Sequence, residues 1–156
     1  MTGHESALKL GDILTPDLKL VAWEITRTCN LLCAHCRASA TPGGYTDELS
    51  TEECYRIIDQ ILEVARPIII FTGGEPLVRK DVLQIAQYAV SRGLKVVIGT
   101  NGTLITETMA AKLKEIPVSR LGISLDFPAA DLQDDFRGKP GAFESVMTGI
   151  ANARQA

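Results

Sequence analysis

The hydrophobic positions of the chain follow two spacings, one typical of strands and one typical of helices. Residues 19–25 combine β-branched and aromatic side chains, which predicts a short strand leading directly into a cysteine-rich segment, 26–38. Ser50 followed by Glu53 predicts a capping box at the start of a helix. The apolar face of that helix is predicted to consist of Cys54, Ile57, Ile58, Ile61, Leu62 and Ala65.

Three further strand and helix pairs follow along the chain. The continuous apolar run 67–71 is typical of a parallel strand that is covered on both faces. Thr106 can cap a helix, and Gly93 can stop the helix before it. The remaining predicted strands are 67–71, 94–98 and 118–125. The remaining predicted helices are 81–92, one that carries Met109, Ala110, Leu113 and Ile116, and one that is marked by Phe143, Val146, Met147 and Ile150.

The order of strand and helix, repeated four times, predicts an α/β fold whose parallel strands are joined by right-handed crossovers. We find no linker, repeat or low-complexity tract, so one domain is expected. In such folds the reactive groups gather where the carboxyl ends of the strands meet their loops. Cys29, Glu75, Asn101 and Asp126 each follow a predicted strand, which places them at one candidate site.

The composition is that of an ordinary globular domain. Of the 156 residues, 46% are hydrophobic and 22% are charged, and the formal net charge is -3. Lysine and arginine are scattered rather than clustered, so a nucleic-acid partner is not expected. Residues 1–12 lack the apolar stretch of a secretory signal, and the apolar runs are too short to cross a bilayer. These features predict a cytoplasmic protein without a membrane partner.

Three of the four cysteines form the pattern Cys29-x3-Cys33-x2-Cys36. In a reducing compartment such thiols are more often metal ligands than disulfides, and from one loop they could hold an iron-sulfur cluster or zinc. Three ligands leave one corner open. Structural zinc would require a fourth ligand, and His35 lies where reaching the same metal would strain the loop. Cys54 shares the apolar face of its helix and is expected to be a buried small hydrophobe.

The cysteine pattern and a second motif together resemble the radical S-adenosylmethionine (radical SAM) superfamily. Its signature is C-x3-C-x-aromatic-C, with His35 in the aromatic position, followed after the second strand by Gly-Gly-Glu-Pro, here residues 73–76. Each motif alone has another interpretation, because Gly-Gly before Glu-Pro is also a turn and a three-cysteine loop can hold zinc. The resemblance implies a partial (β/α) barrel of the radical SAM type, with about four parallel β/α units present.

The same resemblance implies roles for the candidate residues. The three loop cysteines would bind a 4Fe-4S cluster whose open iron chelates the methionine moiety of S-adenosylmethionine (AdoMet). The bare backbone of Gly73 and Gly74 would let the cofactor approach closely, and Glu75 would offer a carboxylate to its ammonium group. Further cofactor contacts are implied for His35, Asn101, Ser124, Asp126 and Arg137, the alternatives being packing for His35, an Asn-Gly turn for Asn101 and a solvated loop for the last three.

Radical SAM chemistry then implies the reaction class and its partners. The reduced cluster would pass one electron to the sulfonium of AdoMet, and the resulting 5'-deoxyadenosyl radical would abstract a hydrogen from the substrate. A low-potential donor such as flavodoxin or ferredoxin would supply the electron.

Several segments are closer to one branch of the superfamily, the enzymes of the alternative heme pathway and of heme d1 synthesis, which act on siroheme-derived tetrapyrroles. Arg27 and Arg37 could face substrate carboxylates there, or be solvated. Phe127 departs from the Gly that relatives commonly carry after the Asp. The segments that carry the resemblance are 22–27, 35–38, 67–77, 103–106 and 136–143.

The resemblance also predicts a division of the chain. Residues 1–17 would be an N-terminal extension, and 18–156 the N-terminal part of a radical SAM core, because the family's core has about six strand-helix units. The relatives' cysteine-rich C-terminal domain has no counterpart in this sequence, which suggests a fragment. Two other hypotheses are a peptide-modifying radical SAM maturase and a non-catalytic zinc or iron-sulfur module.

Overall fold

The computed structural model describes residues 18–156, so the predicted extension 1–17 lies outside the described residues. None of the described helices has the length and apolar character that a membrane span requires. The strands are β1 (Leu20–Thr26), β2 (Ile68–Gly73), β3 (Lys95–Thr100) and β4 (Arg120–Ile123). The helices are α1 (Thr51–Val64), α2 (Val82–Ser91), α3 (Glu107–Glu115), α4 (Ala130–Arg137) and α5 (Ala142–Gln155), with a 3-10 helix at Pro76–Val78.

The strands form one parallel sheet in the order β1-β2-β3-β4. Val21 pairs with Ile69, Ile69 pairs with Val96, and Val97 pairs with Arg120. Each connection leaves the carboxyl end of one strand and returns to the amino end of the next, so the carboxyl ends meet at one edge of the sheet. This arrangement confirms the predicted α/β class and brings the loops that follow the strands side by side.

The helix termini follow the local chemistry that the sequence predicts. The Ser50 hydroxyl accepts a hydrogen bond from the Glu53 backbone N–H at 3.3 Å, and Glu53 Oε2 accepts one from the Ser50 N–H at 2.8 Å, so the capping box forms. The Thr106 hydroxyl accepts from the N–H of Met109 at 3.1 Å at the start of α3. Gly93, which follows α2, has φ +85°, a left-handed conformation that glycine adopts without steric cost.

The main hydrophobic core lies on one face of the sheet. Ile69 and Phe71 of β2 and Val96 and Ile98 of β3 are fully buried in it. The opposite face is more open than the apolar run of β2 predicts, because Ile68 is 37% exposed. The expectation that both faces of this strand are covered is therefore wrong. Near the carboxyl ends of β1, β2 and β3, the open face carries Glu24, Thr72 and Gly99.

Two elements differ from the sequence prediction. Strand β4 spans four residues and is shorter than the predicted strand 118–125. Helix α4 was not predicted, because its buried positions are polar: Gln133 is 1% exposed and Arg137 is 8% exposed. Hydrophobic periodicity cannot mark a helix whose inward residues are glutamine and arginine. In α5, Val146 is buried and Met147 is exposed.

Arg79, which follows the 3-10 helix, joins three segments near the carboxyl end of β1. Its guanidinium donates to the carbonyl oxygens of Ile25 at 2.9 Å and Leu49 at 2.7 Å, and its Nε donates to Asp81 Oδ1 at 2.7 Å. The side chain is buried. A planar guanidinium can serve acceptors that lie in several directions at once, which a single ammonium cannot.

Replacing Arg79 with lysine is expected to lower the free energy of unfolding by about 2 kcal/mol, because at least one buried acceptor then lacks a donor. Arg56→Lys is the matched control, since the Arg56 side chain is 69% exposed and lies 3.7 Å from Glu53. Urea unfolding of the two variants measures the difference. Equal stabilities would contradict the anchoring role of Arg79.

Candidate functional site

A cavity of about 290 Å³ lies where the carboxyl ends of the strands meet the cysteine segment. It opens on the less covered face of the sheet. Among the residues that sequence analysis assigned to the site, Glu75 and Asp126 do not line this cavity. The others do, namely Cys29, Cys33, His35, Cys36, Gly73, Gly74, Asn101, Ser124 and Arg137.

The cysteines of the loop are free thiols, and neighbouring N–H groups donate hydrogen bonds to their sulfur atoms. Cys29 Sγ accepts from the N–H of Leu31 at 3.4 Å, and Cys36 Sγ accepts from the N–H of Ala40 at 3.3 Å. Such donors stabilise the thiolate form that binds metals. Burial nevertheless raises the pKa of the Cys29 thiol, and the negative charge of Glu75 adds to the effect. Deprotonation of Cys29 is therefore favoured when a metal cation binds.

The two metal centres that the sequence left open require different spacings between their ligands. A zinc ion needs four ligands at about 2.0–2.3 Å from one point. Within residues 18–156, no three His, Cys, Asp or Glu side chains form a group that could hold a single metal ion. His35 instead stacks on Phe136, with ring centroids 4.2 Å apart. An iron-sulfur cube binds each thiolate at a different iron, so its ligands stand further apart than those of a single zinc ion.

Gly73 and Gly74 are required by the protein's own backbone. A Cβ at Gly73 would lie 2.2 Å from the carbonyl oxygen of Thr26, and one at Gly74 would lie 2.3 Å from that of Thr28. The N–H of Gly74 donates to the Thr26 carbonyl at 2.8 Å. The backbone at Thr26 and Thr28, at the start of the cysteine segment, thus occupies the space that a side chain would take. These glycines hold the end of β2 against that backbone, and both still line the cavity.

Glu75 lies behind the cavity and is fully buried. Its Oε1 accepts from the N–H of Leu77 at 3.0 Å and from the hydroxyl of Thr100 at 2.7 Å, while its Oε2 accepts from the N–H of Asn101 at 2.7 Å. Burial raises the pKa of Glu75, although these three donors oppose the shift. The carboxylate thus joins the end of β2 to the end of β3, and it does not face the cavity as a cofactor contact requires.

Asn101 belongs to a network of side chains that reaches the cysteine loop. Its Nδ2 donates to Asn30 Oδ1 at 2.8 Å, and its Oδ1 accepts from the hydroxyl of Thr103 at 2.7 Å. Asn30 Nδ2 in turn donates to the Thr103 hydroxyl at 2.9 Å. Asn30 is not among the residues predicted from the sequence, although its position directly after Cys29 was the available signal. The network ties the first cysteine to the loop that follows β3.

Arg137 and Asp126 form an ion pair at the wall of the cavity. Arg137 Nε donates to Asp126 Oδ2 at 2.8 Å, and its Nη1 lies 3.7 Å from Cys33 Sγ. Arg137 is therefore a buried residue of α4 and does not lie in the solvated loop that sequence analysis offered as the alternative. Ser124 lines the same cavity, and its backbone N–H donates to the Thr100 carbonyl at 3.1 Å.

A parallel β/α sheet with three loop cysteines and a Gly-Gly-Glu strand end at its carboxyl edge defines the class of enzymes that pair an iron-sulfur cluster with a nucleotide-derived cofactor. The profile of the Radical SAM superfamily matches residues 23–156, and the chain belongs to this superfamily. Members of the superfamily use a 4Fe-4S cluster and AdoMet. The predicted family and the fold class are thereby confirmed.

The similar proteins include tetrapyrrole and peptide enzymes. An AdoMet-dependent heme synthase of Oleidesulfovibrio alaskensis is 48% identical over 100% of this chain and 41% of its own length. The mycofactocin maturase MftC of Mycolicibacterium smegmatis is 38% identical over 87% of this chain and 34% of its own length. Native anSMEcpe with bound AdoMet has a TM-score of 0.68 at 23% identity, over 88% of this chain and 41% of that one. This chain spans less than half the length of each.

Replacing Glu75 with glutamine is expected to lower the free energy of unfolding by about 1–3 kcal/mol. In either orientation of the new amide, its NH₂ group faces a backbone N–H, that of Leu77 or that of Asn101, so one buried donor loses its acceptor. Glu52→Gln, at an exposed position of α1, is the matched control. Thermal and urea unfolding measure the difference. If both variants are equally stable, the carboxylate does not join the two strand ends.

Proposed function

We propose that Cys29, Cys33 and Cys36 hold a 4Fe-4S cluster next to an AdoMet site, in a radical enzyme that modifies a tetrapyrrole of a heme pathway. The observation that carries this proposal is the convergence of three free thiols and the Gly-Gly end of β2 on one cavity. When bound, the cluster and AdoMet supply one-electron chemistry, in which AdoMet is cleaved reductively and a hydrogen is removed from the substrate.

The residues of the site fall into two groups by position. Those that line the cavity would bind the cofactors. The three thiolates would serve as the protein's ligands to the cluster. The backbone of Gly73 and Gly74, the Ser124 hydroxyl and the Arg137 guanidinium offer hydrogen-bonding groups to AdoMet. His35, within the loop, stacks on Phe136. Glu75 and Asp126 act from behind these residues by holding them in place. Asn101 lines the cavity, and its side chain also ties the loop after β3 to Asn30.

A tetrapyrrole substrate is supported by the relatives and by one exposed cation. The identity to the heme synthase is higher than the identity to the peptide maturase, at 48% against 38%. Arg37 lines the cavity, and its side chain is 93% exposed and lies 3.9 Å from Glu24. A guanidinium in this position suits the carboxylates that would be lost by decarboxylation or deacetylation. Arg27 is less suited to this role, because it is paired with Asp47 at 2.6 Å.

Two other functions compete with this proposal, and they differ from it in the substrate. Similarity to MftC favours a maturase that acts on a peptide. A non-catalytic metal-binding module would need no substrate at all. Both radical enzymes would take their electron from a low-potential flavodoxin or ferredoxin, so this partner does not separate them.

Anaerobic reconstitution of the full chain is expected to give about four iron and four sulfide per chain and a spectral change on adding AdoMet. Cys33→Ala is expected to abolish cluster assembly, because it removes one of only three ligands. Cys54→Ala is the control, since Cys54 is fully buried in the main core below the sheet and should leave assembly nearly unchanged. Stoichiometric zinc, or equal loss of iron in both variants, would contradict the ligand assignment.

The substrate class is tested by binding assays with the whole protein. Siroheme-derived tetrapyrroles are expected to bind, and Arg37→Glu should weaken their binding by about threefold or more because it reverses an exposed charge at the cavity. Arg56→Glu, an exposed arginine on α1, is the control for net charge. Binding of a precursor peptide, with no effect of Arg37→Glu on tetrapyrroles, would favour the maturase.

A further inference from the structure

We propose that the carboxyl end of α4 is a seat that shapes the cysteine loop before a cluster binds, with Phe136 and Gly138 as positioning residues. The α4 seat comprises residues 136–138, and the cysteine loop comprises residues 29–36. This proposal rests on the proposed function only in naming the loop as the cluster ligand. The seat itself is defined by contacts within the protein.

The backbone contact between the two segments involves groups that a helix end leaves unpaired. The last carbonyl groups of an α-helix have no partner within the helix. Here the Arg137 carbonyl accepts from the N–H of Leu32 at 3.2 Å, and the Phe136 carbonyl accepts from the N–H of Ala34 at 2.9 Å. The two donors flank Cys33 on either side, so the helix end holds the backbone of that cysteine in one conformation.

Gly138 makes this close approach possible. It ends α4 in the left-handed conformation, with φ +67°. A Cβ at this position would lie 2.2 Å from the Leu32 carbonyl oxygen and 3.2 Å from the Leu32 Cβ. Because the first of these neighbours is backbone, a side chain at Gly138 would force the cysteine loop and the helix end apart.

Side chains extend the contact along the loop. The His35 ring stacks on Phe136 with an interplanar angle of 6°, and Phe127 packs edge-on against Phe136 with centroids 5.2 Å apart. Such aromatic pairs contribute about 0.5–1.5 kcal/mol beyond burial. The Arg137 guanidinium reaches Cys33 Sγ. Four consecutive positions of the loop, 32–35, therefore contact the α4 seat.

Helix α4 is itself held by contacts that do not involve the cysteine loop. Gln133 Oε1 accepts from the backbone N–H groups of Asp126 at 3.0 Å and Phe127 at 3.1 Å. Asp134 Oδ1 accepts from the N–H of Phe143 at 2.7 Å at the start of α5. The helix is thus anchored at the β4 end and at α5, which allows it to impose a shape on the loop. A loop ordered in advance loses less conformational entropy when it binds its ligand.

The decisive experiment compares Gly138→Ala with Gly141→Ala in the full chain without cluster. Both glycines have positive φ, +67° and +77°, so alanine meets similar backbone strain at each. Only Gly138 faces the Leu32 carbonyl, whereas a Cβ at Gly141 meets nothing within 4 Å. The readout is the rate at which a small alkylating reagent modifies each cysteine, with the buried thiol of Cys54 as the internal reference.

Gly138→Ala is expected to speed alkylation of Cys33 and Cys36 by about tenfold relative to Gly141→Ala, with Cys54 unchanged, because the loop opens locally while the core stays folded. Equal rates in the two variants would overturn the proposal, and so would a parallel rise at Cys54, which reports global unfolding. If Gly138→Ala fails to fold, Phe136→Leu replaces it as the test variant and Phe143→Leu is its control, with the same alkylation rates as the readout. Phe136→Leu removes the stacking on His35 and keeps an apolar side chain.

Iron release separates this proposal from the proposed function. In reconstituted protein, Gly138→Ala should lose iron to a chelator several-fold faster than Gly141→Ala. Failure of the unsubstituted chain to bind iron would sink the proposed function, while the alkylation rates would still test the seat. Normal iron content in all variants, together with alkylation rates that do not differ, would contradict the role of the α4 seat and leave the proposed function standing.

Discussion

The buried carboxylate of Glu75 is the contact on which the arrangement of the cavity depends. It accepts hydrogen bonds from Leu77, in the 3-10 helix that follows β2, and from Thr100 and Asn101 at the end of β3. Parallel strands are held together by their ladder only as far as the strands extend, and beyond it the loops need other partners. Through Asn101 the same contact continues to Asn30, next to the first cysteine. The cavity wall is thus a continuous polar network anchored in the core.

The cysteine loop is held from two sides by different means. On the side of β2 and β3 it is held by the hydrogen bond between the side chains of Asn101 and Asn30. On the same side, Gly74 lies against the backbone of Thr28, directly before the loop. On the other side the end of α4 accepts two backbone hydrogen bonds from the loop. A small apolar cluster of Cys29, Leu31, Ala40 and Ala142 fills the space beneath. A loop without regular secondary structure can therefore present its thiols in a defined arrangement.

Much of the fold follows from patterns that the sequence displays openly. Alternating strand and helix spacings, a capping box and stop glycines predict the parallel sheet and most helices, and strand order then predicts which residues meet at one edge. Helix α4 was not predicted because its buried face consists of Gln133 and Arg137, whose burial depends on partners elsewhere in the chain. The direction of the Glu75 side chain could not be predicted for a similar reason, because three hydrogen-bond donors from two separate segments determine it. Motif spacing identifies residues near a site, but it does not distinguish residues that line the cavity from residues that hold the lining residues in place.

The charges around the loop explain why its thiols suit a metal centre and not a free anionic site. Burial and the nearby Glu75 raise the pKa of Cys29, and the other two thiols add to that effect. Arg137 reaches Cys33, yet Asp126 already balances its charge. Three thiolates in one short loop would repel one another, with little compensation from these side chains. A bound cationic centre would remove the repulsion and the protons together, which couples metal binding to the deprotonation of these thiols.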